Sequence, residues 1–344
     1  MCVKQGVNME AWTSAKNALE AVLEAKKGES IIIFCDDEKI KIGKAFEKGA
    51  QKLELQTKLL ELKTSAKIFR TDIPKELMEY LTTRKPDIYI NLLRGLREET
   101  PFRIKLMQME TEDNIARLGH CPGVTLDMLT EGALALSVEE HRQMQTFADK
   151  LMIKLSQAAK LHVKSPSGTD LTLSVDGRPF FTDTKIDWKG RKFMNLPTGE
   201  VLAAPVENSL EGKLVCDMAI GGIGPLKSPV KITAKNGMVC DVFSTDAKVL
   251  QGVKDSLNTD ERSNVIGEFA FGINPKARFV EEFLESEKML TTIHMAFGNN
   301  SDMPGGKNKS KNHMDFMVSK ATVKVHNKDG SSFNILVNGV FPKL

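Results

Sequence analysis

The sequence predicts an α/β N-terminal domain with a small parallel sheet, followed by an α+β, mainly antiparallel domain. Three observations carry this reading. Residues 31–35, Ile31-Ile32-Ile33-Phe34-Cys35, form a continuous apolar run between two helical stripes, as a strand buried on both faces does. Ser137 and Glu140 have the spacing of a capping box at the head of a long apolar-periodic stretch. Beyond that stretch the pattern changes to short strand-like pieces separated by turns.

In chain order, 11–25 reads as a helix, Gly28-Glu29-Ser30 as a break, 31–35 as a strand and 40–52 as a second helix. A short strand is expected at 66–69, a helix at 74–82 with Pro74 in its first turn, and a strand at 87–93 after Pro86. Alternation of this kind builds a parallel sheet. The capped helix runs from Ser137 to about residue 159. A hairpin follows, with 161–164 and 170–175 flanking Pro166-Ser167-Gly168, and then strand-like segments at 213–218, 230–234, 238–243, 265–273, 291–297, 321–326 and 333–337. The domain boundary is placed near residue 155, giving domains 1–155 and 156–344.

The chain has 344 residues, 41% of them apolar and 27% charged, an ordinary globular composition that suits about two domains. Its 48 basic and 45 acidic residues leave a net charge of +3 and are interspersed, which argues against a nucleic-acid partner. No apolar run reaches the roughly 18 residues a membrane helix needs. The start, Met1-Cys2-Val3-Lys4-Gln5, lacks a signal-peptide pattern. Five cysteines, at 2, 35, 121, 216 and 240, form no CxxC pair and fit inert thiols in a reducing compartment. A cytoplasmic protein is expected.

Six histidines, at 120, 141, 162, 294, 313 and 326, leave few places for imidazole chemistry. His313 and Asp315 are two apart, so on an extended strand both point to one face, where they can hold one metal; a solvated strand edge is the plain alternative. His294 interrupts an apolar strand-like run that stops at Gly298-Asn299, and Glu268 lies inside 265–272, where a buried charge needs a partner or a cation. For these two the alternatives are a hydrogen-bonded core histidine and an outward-facing glutamate. Glu200 follows Pro197-Thr198-Gly199, a turn that can fix its side chain. The glycine-rich stretch 304–310 can cradle an anion but lacks the spacing of a phosphate loop.

Five segments, 195–201 (NLPTGEV), 266–274 (IGEFAFGIN), 292–300 (TIHMAFGNN), 304–310 (PGGKNKS) and 312–316 (NHMDF), resemble the ordered motifs of the aminopeptidase T and aminopeptidase S type metallopeptidases, a thermophilic leucyl aminopeptidase family. The resemblance spans the second domain. It implies a metalloaminopeptidase in which Glu200, Glu268, His294, His313 and Asp315 hold two divalent ions, zinc, cobalt or manganese, with one carboxylate shared between them. Such a pair activates a shared water and polarises the scissile carbonyl. Glu268 is the expected acid or base for the leaving amine. His162 and His326 lie outside the motifs and are expected to tolerate replacement.

The family tyrosine seven residues beyond the first histidine is Ser301 here, and the chain's two tyrosines, Tyr80 and Tyr89, are both in the first domain. Lys307 or Lys309 is the expected substitute for the oxyanion-stabilising hydroxyl. The resemblance also implies a homodimer, with the loop 301–310 meeting the second subunit, and substrates that are short peptides with free N-termini. An alternative on the same fold is an iron(II) ring-cleaving dioxygenase of the dihydroxypyridine type, using His294, His313 and Asp315 as a facial triad. Glu200 and Glu268 favour hydrolysis, since one iron needs few carboxylates. A binding protein that has lost turnover is the third reading.

Overall fold

The apolar run at 31–35 lies within β1 (Ser30–Asp36), and in the computed structural model, which describes residues 9–190 and 192–343, this strand is interior to a five-stranded parallel sheet. Met1 to Gln5, including Cys2, lie outside the described residues. The sheet has the order β2-β1-β3-β4-β8, with β2 (Gln56–Leu62), β3 (Ile88–Leu92), β4 (Arg117–His120) and β8 (Phe193–Asn195). Alternate residues of β1 enter different cores. Ile31, Ile33 and Cys35 pack with Leu19 and Phe46, from α1 (Ala11–Ala21) and α2 (Ile40–Lys52). Ile32 and Phe34 pack with Leu77 and Phe102, from α3 (Lys75–Thr82) and α4 (Thr100–Thr111). A strand covered on both faces needs this unbroken apolar run.

The strand expected at 66–69 does not form. The sheet's edge is instead β2, whose Gln56, Lys58 and Glu61 break its apolar pattern, while Ile68 is 73% exposed. The 66–69 region is tied down by side chains: Arg70 donates to Asp36 at 2.6 and 2.8 Å and also pairs with buried Glu99, and the carbonyl of Ser65 accepts from Arg94 at 2.9 Å. The short α5 (Leu126–Thr130) completes this region.

The capping box is made as its spacing requires. The N–H of Glu140 donates to Ser137 Oγ at 3.1 Å, and the N–H of Ser137 donates to Glu140 Oε2 at 2.7 Å. The helix it opens, α6 (Val138–Leu155), stops short of residue 159 because the chain enters β5 (Ala158–Lys164).

After α6 the structure is antiparallel. One seven-stranded sheet has the order β14-β13-β10-β6-β5-β18-β19, formed by β5, β6 (Asp170–Ser174), β10 (Glu211–Cys216), β13 (Val230–Lys235), β14 (Met238–Phe243), β18 (Thr322–Asn327) and β19 (Ser332–Leu336). The other has the order β12-β11-β17-β16-β15-β9-β7, formed by β7 (Phe181–Thr182), β9 (Glu200–Ala203), β11 (Ala219–Ile220), β12 (Gly224–Pro225), β15 (Ile266–Gly272), β16 (Ile293–Gly298) and β17 (His313–Val318). Two helices accompany them, α7 (Ala247–Leu257), capped by Asp246, and α8 (Phe283–Ser286). Among the described residues no helix is long and apolar enough to cross a membrane.

The two compact units are discontinuous in sequence, where a single boundary near residue 155 is expected. One comprises the chain up to Gln145 with Asp183–Thr198 and Lys276–Arg278; the other comprises Thr146–Thr182, Gly199–Pro275 and the chain from Phe279. The returns have a physical cause. Residues of β8 pair in parallel with β4, and Arg278 pairs with Asp127 at 2.6 Å.

Removing the helix cap in Ser137→Ala leaves an orphan donor, so the unfolding free energy should drop by about 1 kcal/mol; chemical denaturation at fixed pH checks this.

Candidate metal centre

Four neighbouring strands, β17, β16, β15 and β9, carry the five residues singled out in the sequence. Side chains alternate across a strand, so His313 and Asp315 share one face of β17 and Glu268 takes the opposite face from Phe269 on β15. The register aligns them: Asp315 pairs with Ala296, which pairs with Glu268, and His294 pairs with Ala270. Phe269 and Phe271 meet edge to face, as do Phe297 and Phe316. Along these strands, then, the acids and imidazoles alternate with buried aromatic rings.

Two glycines shape the approach. The β15–β16 register shifts between Ile266 and Glu268, and a Cβ on the intervening Gly267 would lie 2.6 Å from the carbonyl oxygen of Gly298. A bulge of this kind re-aims the residue after it. Gly199, just before Glu200, has φ +135° and would drive a Cβ to 2.5 Å from Asn274 Cβ. Only glycine fits there.

The polar ends converge. His294 Nε2 lies 3.1 Å from Glu268 Oε1 and 3.3 Å from Glu200 Oε2, while His313 Nε2 lies 3.4 Å from both Glu268 Oε2 and Asp315 Oδ1. Ligands bonded tetrahedrally to one ion at about 2.0–2.1 Å sit about 3.3 Å apart, so these separations suit donors around a shared cation. Three overlapping groups have the geometry to hold an ion: Glu200, Glu268 and His294; Glu268, His313 and Asp315; and Glu287, His294 and Asp315. His313 Nδ1 is 2.9 Å from the carbonyl oxygen of Asn299. Donation there fixes the ring and leaves Nε2 facing the acids, the usual outer support of a metal-binding imidazole. The donor set therefore fits a divalent metal.

Burial by itself would lower the pKa of His294, but Glu200 and Glu268 outweigh it and hold the ring well above the ordinary histidine value. His313 is raised likewise, against the effect of burial, by Asp315 and Glu268. Burial would raise Glu268, and hydrogen bonds from the two imidazoles reverse this to hold it well below the usual carboxylate range. In the metal-free protein, protons on the imidazoles do the work of a cation.

Two further residues, with little signal in the sequence, adjoin the cluster. Lys288 is 1% exposed, and its Nζ contacts Glu200 Oε1 and lies 3.0 Å from Glu287 Oε1. Burial, together with Glu200 and Asp315 and against the pull of Lys288, pushes Glu287 up to about 8. The run Glu281, Glu282, Glu285, Glu287 reads as a solvated acidic stretch, and its one pointer to the site is that Lys288 precedes His294 by six residues.

Lys307 does not join the cluster. It is exposed and its backbone N–H donates to Glu207 at 2.8 Å, and among the described residues its ammonium forms no ion pair with the five candidate residues. Ser301 is also exposed and donates to Asn299 Oδ1. The loop between the two site histidines is pinned: Asn308 donates to the carbonyl of Gly298 at 2.6 Å, and Arg178 donates to the carbonyl of Gly305. The other histidines lie elsewhere, His162 pairing with Asp170 at 2.7 Å and His120 and His141 buried with pKa values pushed down to about 3 and about 4.

The sequence profile described as thermophilic metalloprotease (M29) matches residues 136–341, well over half of the chain and all of the cluster. The chain belongs to the thermophilic metalloprotease (M29) family. Family membership makes it a metal-dependent peptidase by class, a hydrolase whose activity implies divalent ions. Among solved structures, wild-type AmpT from Thermus thermophilus is similar at 18% identity over 96% of this chain and 98% of that one, with a TM-score of 0.72. The 2,5-dihydroxypyridine dioxygenase from Pseudomonas putida KT2440 is similar at 17% identity over 96% of each chain, with a TM-score of 0.67. At these identities both likenesses are of fold. No curated protein sequence matches significantly.

The raised histidines set a pH dependence. Their contribution to the metal-free fold is complete below about pH 6.5, the ordinary histidine value, and is lost as pH rises through their higher folded values. That of Glu268 is present above about pH 4.3 and is lost as pH falls through its lower folded value. Metal uptake must expel the imidazole protons. The rise in melting temperature on adding zinc or manganese should therefore grow from about pH 5.5 to about pH 8, as melting with and without chelator across that range will test.

Proposed function

We propose that this family member is an aminopeptidase that removes N-terminal residues from short peptides, using two divalent ions held by Glu200, Glu268, His294, His313 and Asp315. The observation that carries the proposal is the double role of Glu268, which belongs to two of the ligand groups and turns one oxygen to each imidazole. When bound, a metal pair activates a water, polarises the scissile carbonyl and offers an anchor for the free α-amine. Glu200 and His294 form one side of the site, and His313 and Asp315 form the other. Glu268 spans them and is also assigned the transfer of the water proton to the leaving amine.

His313, whose side chain is 35% exposed against 1% for His294, marks the side from which a substrate approaches. No role in this mechanism is assigned to Lys307, which is exposed and held at its backbone N–H by Glu207. The proposal includes a homodimer, with the exposed Ser301, Pro304, Lys307 and Lys309 on the loop toward the partner, and a reducing cytoplasmic setting that suits the free buried thiols of Cys35, Cys121 and Cys216.

Elemental analysis should find two divalent ions per chain, and the loaded protein should cleave aminoacyl chromogenic amides and short peptides while sparing N-acetylated ones. One tightly held iron with no second site would instead favour the ring-cleaving dioxygenase reading. Glu268→Gln should cut turnover by about a hundredfold or more and lower the metal content, with the circular dichroism unchanged; near-normal activity at full occupancy would remove Glu268 from the mechanism. Light scattering at micromolar concentration should give twice 38.1 kDa, and a monomer would remove the dimer.

A further inference from the structure

The cluster holds one fixed positive charge that the proposed mechanism does not use. Lys288 is among the largest fully buried side chains of the protein, and an ammonium is expensive to bury unless it is paired. Its backbone is anchored at both ends: its N–H donates to the carbonyl of Glu285 at 3.1 Å, and its carbonyl accepts from the N–H of Asn274 at 2.8 Å. Asn274 is also the residue against which Gly199 packs, and the N–H of neighbouring Ile273 donates to the Gly199 carbonyl at 2.8 Å. One short segment thus fixes both Lys288 and the turn that delivers Glu200.

The two oxygens of Glu200 have different neighbours. Oε1 meets Lys288 Nζ, and Oε2 faces His294 Nε2. We propose that Lys288 is a positioning residue of the metal centre, which holds Glu200 Oε1 and so restricts Glu200 to a single metal-facing oxygen, Oε2. This rests on the metal-peptidase reading above. Without the ammonium, Glu200 is free to turn both oxygens to an ion or to rotate away, and the second oxygen is left near Glu287 without its counter-charge.

The test titrates cobalt(II) and zinc(II) into the chelated wild type and into Lys288→Met and Lys288→Gln. The readouts are affinity, the visible d–d absorption of the cobalt form, which reports coordination, and the melting temperature of the metal-free proteins. Lys288→Met should weaken affinity roughly 10- to 100-fold, the usual effect of losing an outer-shell partner, and change the cobalt spectrum. Lys288→Gln keeps an N–H donor and should fall between Met and the wild type.

A purely packing role predicts the reverse order, with Met close to the wild type, and that result would overturn the proposal. So would wild-type affinity and spectrum in both variants. If neither variant folds, the crystal structure of the zinc-loaded wild type decides: Glu200 should bind through Oε2 alone with Oε1 on Lys288, and bidentate Glu200 would overturn the assignment. A wild type that takes up no metal would fail the metal-peptidase reading itself, and this inference with it.

Discussion

Buried like charges must be compensated, and that constraint organises the cluster of acids and imidazoles on the second antiparallel sheet. Glu200, Glu268, Glu287 and Asp315 gather around His294 and His313; Glu200, Glu268, Glu287 and His294 are buried, and His313 is the exposed member. Carboxylates packed this closely are stable only when protons, a fixed cation or metal ions balance them. All three kinds of compensation are available here. The imidazoles take up protons in the metal-free protein, Lys288 supplies a permanent charge, and the donor geometry accepts divalent ions.

The sheet makes such crowding possible by holding each ligand on a paired strand. Adjacent strands lie about 4.8 Å apart, so candidate ligands on one face of four neighbouring strands can bring their side-chain tips together although they step along the sheet, Glu268 and Asp315 level through Ala296, His294 level with Ala270 and Glu200 level with Gly272. Strands β17, β16, β15 and β9 do this in order. The opposite side-chain parity carries Phe269, Phe271, Phe297 and Phe316, whose edge-to-face contacts stabilise the same strands by about 0.5–1.5 kcal/mol per pair beyond area burial. Chemistry and core are separated by a single residue step along the chain.

The loop between the two site histidines belongs to the same scheme. Its glycines and lysines suggest an exposed surface loop, yet Asn308 and Asn312 turn their side chains inward to donate to the carbonyls of Gly298 and Phe297 at the end of β16. Those bonds set where β17 begins, and with it where His313 sits. Asn299 completes the link through its carbonyl to His313 Nδ1.

Much of this was legible in the sequence because it is local. The unbroken run at 31–35 announced a strand covered on both faces, Ser137 and Glu140 announced a helix start, and His313-Met314-Asp315 announced an imidazole and a carboxylate on one strand face. Edge strand β2 was not legible, since charged residues facing water dilute its pattern, and the apolar pair Ile68 and Phe69 suggested a strand in its place. Glu200, Glu268 and His294 could be singled out one by one as polar groups in constrained or apolar settings. Their convergence, the sharing of Glu268 and the entry of Lys288 and Glu287 were decided by tertiary structure alone. Lys288 illustrates the physical reason: within an acidic stretch its charge reads as solvated, and only the pairing of strands distant in sequence removes the water and makes that ammonium the partner of Glu200.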